Sequence, residues 1–353
     1  LLASRVVRIL KKRDPRLKIF GLGGPALSAA GMGVREDLTR QALIGFVEVL
    51  KHLPKIRQRF VQCEKWFREE RPDLLFLVDY PGFNLRLAEQ AHRLGIPVCY
   101  YVAPQAWAWH ESRVQTMKKI LSKLLVIFPF EEPWFRERGM KALYVGHPLT
   151  ETVKWGKPKS QGDRPRVCVM PGSRRGELER LWPLMRESAR RLRRSYPKAQ
   201  FVVPIPSTLS AGDYPGLTPE DSFSFVKSED LRARGACHVA WVKSGTATVE
   251  TALLGTPMII TYQVAPLTAF IARRVATVKY VGMVNLLSHP ALVPELLQED
   301  ACPEKLVAET LDLLESPSKR RGQIECFRKM RKLLSIPVHA SANVARQVEG
   351  MLP

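Results

Sequence analysis

Glu250 stands in the stretch VKSGTATVETALLGTPMIITY, residues 242 to 262, as the one carboxylate among small hydroxyl side chains. An apolar run ends just before it and another strand-like run follows. A helix starting near Ser244 would leave unpaired N–H groups in its first turn, where the helix dipole favours an anion. Gly245 lets a ligand approach the backbone, while Ser244, Thr246 and Thr248 add hydroxyl donors. A diphosphate suits that chemistry, with Glu250 one turn further on to accept bonds from the vicinal hydroxyls of a ribose. An ordinary capped helix with a surface Glu would use the same residues. Residues 167 to 180, VCVMPGSRRGELER, repeat the order of strand, glycine turn and helix start. There Gly172 permits close approach and Arg174 offers a planar fork for phosphate oxygens. Arg175 reads as a solvated charge, and Glu177 and Glu179 as acids favouring a helix N-terminus.

A third stretch, LLFLVDYPGFNLRLAEQA at 74 to 91, puts Asp79 at a strand end, Pro81 and Gly82 in the turn, and Asn84 at the helix start. A carboxylate in that position suits a general base in a crevice; Asp and Asn also commonly satisfy loop backbone. In YYVAPQAWAWHESR, residues 100 to 113, Gln105, Trp107, Trp109 and His110 follow another strand end. The indoles suit a sugar or acyl pocket and equally a core. His147 in VGHPL, again at a strand end, is a weaker candidate for substrate contact.

The elements that must hold these residues alternate. Strand-like runs at 17 to 22, 74 to 79, 97 to 102, 124 to 128 and 142 to 145 are separated by helical or loop segments, the rhythm of a parallel α/β sheet. A second series occupies 166 to 170, 200 to 205, 223 to 227, 236 to 242 and 257 to 262. Two Rossmann-like domains are therefore expected: 1–153, a polar linker at 154–166, a second domain at 167–318, and C-terminal helices at 319–353 that cross back or exchange between subunits. A domain of the first kind normally opens on a strand and a Gly-rich turn, yet Leu1 to Arg13 already read as a helix. The first strand of the N-terminal domain is expected to be missing, as in an N-terminally incomplete chain.

The 353 residues carry 55 Lys and Arg against 34 Asp and Glu, a net charge of +21 that calls for an anionic partner. Six scattered cysteines suggest neither a zinc site nor a disulfide framework. The apolar runs fall short of the roughly 18 residues a spanning helix needs. The N-terminus is apolar first and basic second, the reverse of a secretory signal, so a cytoplasmic location is expected.

DYPGFN, APQAWAWHESR, PFE, VGHPL, PGSRRGE, SGTATVE and YVGMVNLL occur in that order along essentially the whole chain. In this the sequence resembles the lipid-A-disaccharide synthases, GT-B glycosyltransferases of lipopolysaccharide assembly. Seven ordered segments are far more specific than one glycine motif. The resemblance implies an α/β GT-B fold, two Rossmann-like domains facing a central cleft, and an inverting hexosyltransferase. That enzyme would join UDP-2,3-diacylglucosamine to 2,3-diacylglucosamine 1-phosphate (lipid X) and release UDP, with no cofactor and no metal.

Residue by residue, Asp79 resembles the essential carboxylate of the family's DxPxFN segment, and Arg174 the essential arginine of its PGSR turn, with Gly172 and Ser173 beside it at the UDP-sugar. Ser244, Gly245, Thr246 and Glu250 resemble the UDP-contacting helix start, and Asn285 matches the Asn of the NLL segment. Asn84, Gln105, Trp107 and His147 fall to the acceptor or acyl pocket. The family's opening strand and Gly-Glu-x-Ser-Gly-Asp turn have no counterpart here. On this reading Asp79 takes the acceptor's proton, while Arg174 and the helix at Ser244 stabilise the departing diphosphate. Another UDP-sugar transferase of this fold, or a UDP-sugar epimerase, would share both glycine turns but not DYPGFN and APQAWAW. Nucleic acid is not an expected partner, since no basic arm, zinc motif or RNA-binding aromatic pattern is present.

Acylated substrates would give the charge a second use. Residues 44 to 60 put Phe46, Val49, Leu50 and Leu53 on one helical face with Lys51, Lys55 and Arg59 opposite, which suits an anionic leaflet and equally a surface helix facing the core. PLTAFIARRVATVKY, 266 to 280, has the same mixture. The expected location is peripheral, on the inner face of the inner membrane, and the resemblance allows a homodimer.

Overall fold

The computed structural model describes residues 2–37, 53–156, 164–218, 221–275, 278–288 and 290–353. The anchor residues Phe46, Val49, Leu50 and Lys51 and linker positions 157–163 lie outside the described residues. The chain divides into two compact units, Leu1–Glu151 with Leu334–Pro353, and Thr152–Leu333.

The first unit opens with α1 (Leu2–Arg13), β1 (Phe20–Gly23), α2 (Pro25–Ser28) and β2 (Gly33–Asp37). Strands β1 and β2 form a parallel pair of their own, covered by Val7, Ala30 and Met32. Next come α3 (Leu53–Glu70), β3 (Leu75–Val78), α4 (Pro81–Arg93), β4 (Val98–Tyr101), α5 (Arg113–Ile120), β5 (Lys123–Val126), α6 (Glu131–Glu137) and β6 (Leu143–Tyr144). Strands β3 to β6 are all parallel and lie in chain order. Apolar runs such as VCYY and KLLV bury both faces, as parallel strands covered by helices must. Their core joins Leu77, Tyr100 and Val126 to Phe67, Phe83 and Phe135.

The last helix, Ala340–Glu349, belongs to this unit. Arg13 pairs with Glu349 at 2.6 Å, and Glu151 accepts both the N–H (2.6 Å) and the hydroxyl (2.8 Å) of Ser341. Gly146 has φ +87°, and a Cβ there would fall 2.7 Å from Ile336 Cγ1, so the returning chain lies flat on this turn.

The second unit contains β7 (Arg166–Met170), α7 (Arg175–Ser195), β8 (Gln200–Ile205), β9 (Phe223–Lys227), α8 (Leu231–Gly235), β10 (Val239–Lys243), α9 (Thr246–Leu253), β11 (Met258–Tyr262), α10 (Pro266–Val275), α11 (Met283–Leu286), β12 (Glu295–Leu297), α12 (Pro303–Glu315) and α13 (Pro317–Leu334). Its sheet is parallel, in the order β12-β11-β10-β7-β8-β9. The chain lays down β7, β8 and β9 in one direction and then returns to place β10, β11 and β12 on the other side of β7. This reversal makes the β7/β10 boundary a topological switch point, the place where open α/β sheets form a crevice at their strand ends. Helix α7 buries Leu178, Leu181, Trp182, Met185, Ala189 and Leu192, spaced three and four apart, against the sheet's Phe201 and Trp241. Among the described residues no helix is long and apolar enough to cross a membrane.

Candidate functional site

In the second unit both predicted glycine turns leave the switch-point strands. Beyond Met170 the chain turns at Gly172, whose φ is +132° and whose added Cβ would meet Glu177 Oε2 at 2.5 Å and Glu177 Cβ at 2.6 Å. Only glycine fits, because Glu177 folds back over the turn from the first turn of α7. Its Oε2 accepts the Ser173 N–H at 3.0 Å, and its Oε1 pairs with Lys243 Nζ at 2.9 Å. Lys243 is the last residue of β10, so this ion pair ties one glycine turn to the other. Burial pushes the Glu177 acid up, but the hydrogen bond and charge of Lys243, the Ser173 N–H and nearby Arg174 outweigh it and hold the pKa below its ordinary value. Lys243 Nζ also lies 5.3 Å from the centre of the Tyr262 ring, at the end of β11. The Tyr262 phenol is raised by burial and next by the Glu177 charge. Arg174, which caps α7, is exposed and so is Ser173.

The second turn caps α9 at Gly245, φ +150°, rather than at the expected Ser244. The Ser244 side chain is buried and donates to the Val281 carbonyl at 2.9 Å, and Thr248 donates to the Gly245 carbonyl at 2.8 Å. Those two hydroxyls are therefore spent inside the protein, while Gly245 and Thr246 are exposed at the helix start. Asn285 is likewise inward: Nδ2 donates to the Val293 carbonyl and to Glu295 Oε1, both at 2.8 Å, and Oδ1 accepts the Val293 N–H at 3.1 Å. The Glu295 carboxylate also takes the N–H groups of Val281 (2.9 Å) and Gly282 (3.0 Å). Asn285 and Glu295 thus shape the loop that receives the Ser244 hydroxyl. Glu250 forms an ion pair with Arg234 at 2.6 Å.

In the first unit Asp79 ends β3 with φ +53°, followed by Tyr80 with φ +49°. Consecutive left-handed residues without glycine are strained, and the surroundings clamp them. The Asp79 N–H donates to the Tyr101 carbonyl (2.9 Å), and its own carbonyl accepts from Tyr100 Oη (2.6 Å) and Asn84 Nδ2 (2.7 Å). The side chain of Asp79 stays exposed. Backbone strain held by three bonds while a carboxylate faces outward is an arrangement that functional sites use. The Tyr100 phenol is raised by burial and then by the Asp79 charge. The neighbouring strand β4 ends in a further outlier, the β-branched Val102 at φ +64°.

The remaining candidates part company. Gln105 is exposed, whereas Trp107 is buried and its Nε1–H donates to Glu131 Oε1 at 3.1 Å. Glu131 is 1 % exposed; its Oε2 accepts the N–H groups of Ile127 (3.2 Å) and Phe128 (3.0 Å). Burial pushes this acid up to about 7. His147 is buried against Phe128, its Nδ1 accepts the Leu149 N–H at 3.3 Å, and burial lowers it to about 4. Trp107 and His147 therefore face the interior of the unit.

Sequence reasoning passed over Lys243, Arg234, Glu131 and Glu295. Lys243 carried a signal, since it directly precedes the Ser-Gly turn. Glu131 stood in the quoted PFE segment without a role, and the partners of Arg234 and Glu295 lie in neighbouring loops and helices that the local sequence does not identify.

A family model described as lipid-A-disaccharide synthetase matches residues 1–348. The chain is 39 % identical to the lipid-A-disaccharide synthase of Anaeromyxobacter dehalogenans (strain 2CP-C) over 361 aligned positions, covering 99 % of this chain and 94 % of the relative. It is 38 % identical to that of Geobacter sulfurreducens, covering 89 % and 84 %. Among solved structures it is similar to the glycotransferase of kitacinnamycin (TM-score 0.63, 16 % identity, 99 % of this chain and 95 % of that one). It is also similar to UDP-GlcNAc 2-epimerase from Neisseria meningitidis bound to UDP-GlcNAc (TM-score 0.63, 12 % identity, 98 % and 95 %). Likenesses at such low identity show the fold, which is of the GT-B type.

Proposed function

The chain belongs to the lipid-A-disaccharide synthetase family, a glycosyltransferase family of lipid A synthesis, and from that premise we propose how its residues divide the reaction. The donor is UDP-2,3-diacylglucosamine and the acceptor lipid X. The diphosphate lies against the two glycine turns, with Arg174, the exposed backbone at Gly245 and Thr246, and Lys243 behind them supplying positive charge as UDP departs. Glu250 accepts the ribose hydroxyls. Asp79 removes the proton from the acceptor hydroxyl as it attacks the anomeric carbon from the face opposite UDP, which inverts the configuration. The observation that carries this reading is the meeting of both glycine turns at one switch point, joined by the Glu177–Lys243 pair.

We place the enzyme on an anionic lipid surface. Phe270 on α10 is 52 % exposed with the Arg274 guanidinium 3.8 Å from its ring centre, and Lys279 lies 5.5 Å from that of Tyr280. Such pairing of basic side chains with an exposed Phe270 and a half-buried Tyr280 suits the headgroup layer.

The test is UDP release from UDP-2,3-diacylglucosamine with and without lipid X, for the wild type, Asp79→Ala and Arg174→Ala. Release that needs lipid X and drops at least about 100-fold in both variants supports the assignment. Release without acceptor would instead indicate a different UDP-sugar reaction.

A further inference from the structure

Arg234 has no role in the reaction as set out so far, yet its setting is unusual for a cation. It lies in the short helix α8, capped by Asp230, whose Oδ1 accepts the Ala233 N–H at 2.8 Å. Its side chain is 5 % exposed. Nη1 forms an ion pair with Glu250 Oε2 at 2.6 Å and donates a hydrogen bond to the Ser228 carbonyl at 3.1 Å. Nε and Nη2 are buried with no acceptor among the described residues. A buried ion pair is weak evidence for stability, and an arginine that leaves two N–H-bearing nitrogens unmatched is weaker still; apolar side chains would fill such a place at lower cost. What the arginine does provide is a fixed grip on one oxygen of Glu250.

Resting on the ribose reading of Glu250, we infer that Arg234 is a positioning residue that selects a nucleoside diphosphate whose sugar carries both vicinal hydroxyls. Arg234 occupies Oε2 and holds the carboxylate in one rotamer, and the Ser228 carbonyl holds Arg234 in turn. Oε1, with no partner among the described residues, accepts the 2′- and 3′-hydroxyls. A Glu side chain on the second turn of a helix is otherwise free to sample several rotamers, and ordering it would weaken binding of the ligand. A bound sugar that lacks one hydroxyl gives up a bond to a charged acceptor, so discrimination depends on that acceptor being held in place.

The experiment measures UDP and 2′-deoxy-UDP affinity by calorimetry for the wild type, Glu250→Gln, Arg234→Met and Arg234→Lys, with circular dichroism confirming the fold. The wild type is expected to prefer UDP by roughly tenfold or more, as one bond to a charged group implies. In Arg234→Met the preference falls to within about threefold, and Arg234→Lys recovers part of it, because one ammonium can still reach Glu250. In turnover, KM for the UDP-sugar rises more than kcat falls. Arg234 variants that keep the wild-type preference while Glu250→Gln loses it would overturn the proposal and leave the ribose reading standing. Loss of folding in both Arg234 variants would make the arginine structural and overturn it too. A wild type that binds the two nucleotides equally would bring down the ribose reading and the inference with it.

Discussion

Replacing Glu131 by Gln should change how the stability of the first unit depends on pH. In the folded chain burial raises this acid from an ordinary 4.5 to about 7. Below about 4.5 the carboxyl is protonated both folded and unfolded, and it contributes no pH dependence. Between 4.5 and 7 the unfolded chain releases the proton while the folded chain keeps it, so rising pH favours unfolding. At about 1.4 kcal/mol per pH unit, the wild type loses about 3 kcal/mol across the whole window and between about 2 and 3 kcal/mol from pH 5 to pH 8. Gln does not titrate. Its amide places an NH2 where the protonated carboxyl keeps a hydroxyl oxygen that can still accept, opposite Trp107 Nε1 or the Ile127 and Phe128 N–H groups, so the variant starts lower by roughly 1–3 kcal/mol at pH 5. The gap should then close, or change sign, by pH 8. Urea unfolding of both proteins at several pH values reads the gap directly; at an m-value of about 2–3 kcal/mol/M its change amounts to about 1 M in midpoint. His147 titrates in the opposite sense but is present in both proteins and cancels. A gap constant from pH 5 to pH 8 would refute the reasoning, because it would mean that Glu131 is not protonated in the folded chain over this range.

His147, held neutral and lowered to about 4, stabilises above its unfolded value of 6.5 and loses that contribution as pH falls toward 4; His147→Asn should remove up to about 3 kcal/mol of acid sensitivity, measured by thermal melts over this window. Gly172→Ala puts a Cβ into Glu177 at a backbone angle unfavourable for alanine, and should cut UDP affinity at least about tenfold while the second unit still melts cooperatively. Phe270→Glu should weaken sedimentation with anionic vesicles by about tenfold or more without altering UDP binding, and equal sedimentation would remove α10 from the lipid contact.

Much of the second unit was legible in the sequence because a parallel strand buried on both faces writes itself as an unbroken apolar run. The expected strands at 166–170, 200–205 and 223–227 coincide with β7, β8 and β9. What escaped notice lies at sheet edges, where neighbours supply what local sequence lacks. β2 reads GVRED and has no fully buried residue, and β12 is only three residues long. The site divides in the same way. Gly172 and Gly245 could be read locally, since their backbone angles follow from the turn itself. The use of the side chains around them could not, because Glu177 finds Lys243, Glu250 finds Arg234, and Ser244 finds Val281 only once the strands are in register. Trp107 shows the limit from the other side: an indole after a strand end suits a pocket, but a buried carboxylate elsewhere in the chain claims its N–H.

The last helix packs on α1, so the first unit is assembled from both ends of the chain with the whole of Thr152–Leu333 between them. On a ribosome that interval, roughly 180 residues at about 5–20 residues per second, lasts on the order of 10–40 s. During that time α1 and the turn at Gly146 still await the segment that covers them. The first unit is begun first and completed only when residues 334–353 have followed. Its early surface, including the partners of Ser341 and Ile336, is where a nascent-chain chaperone would have something to hold.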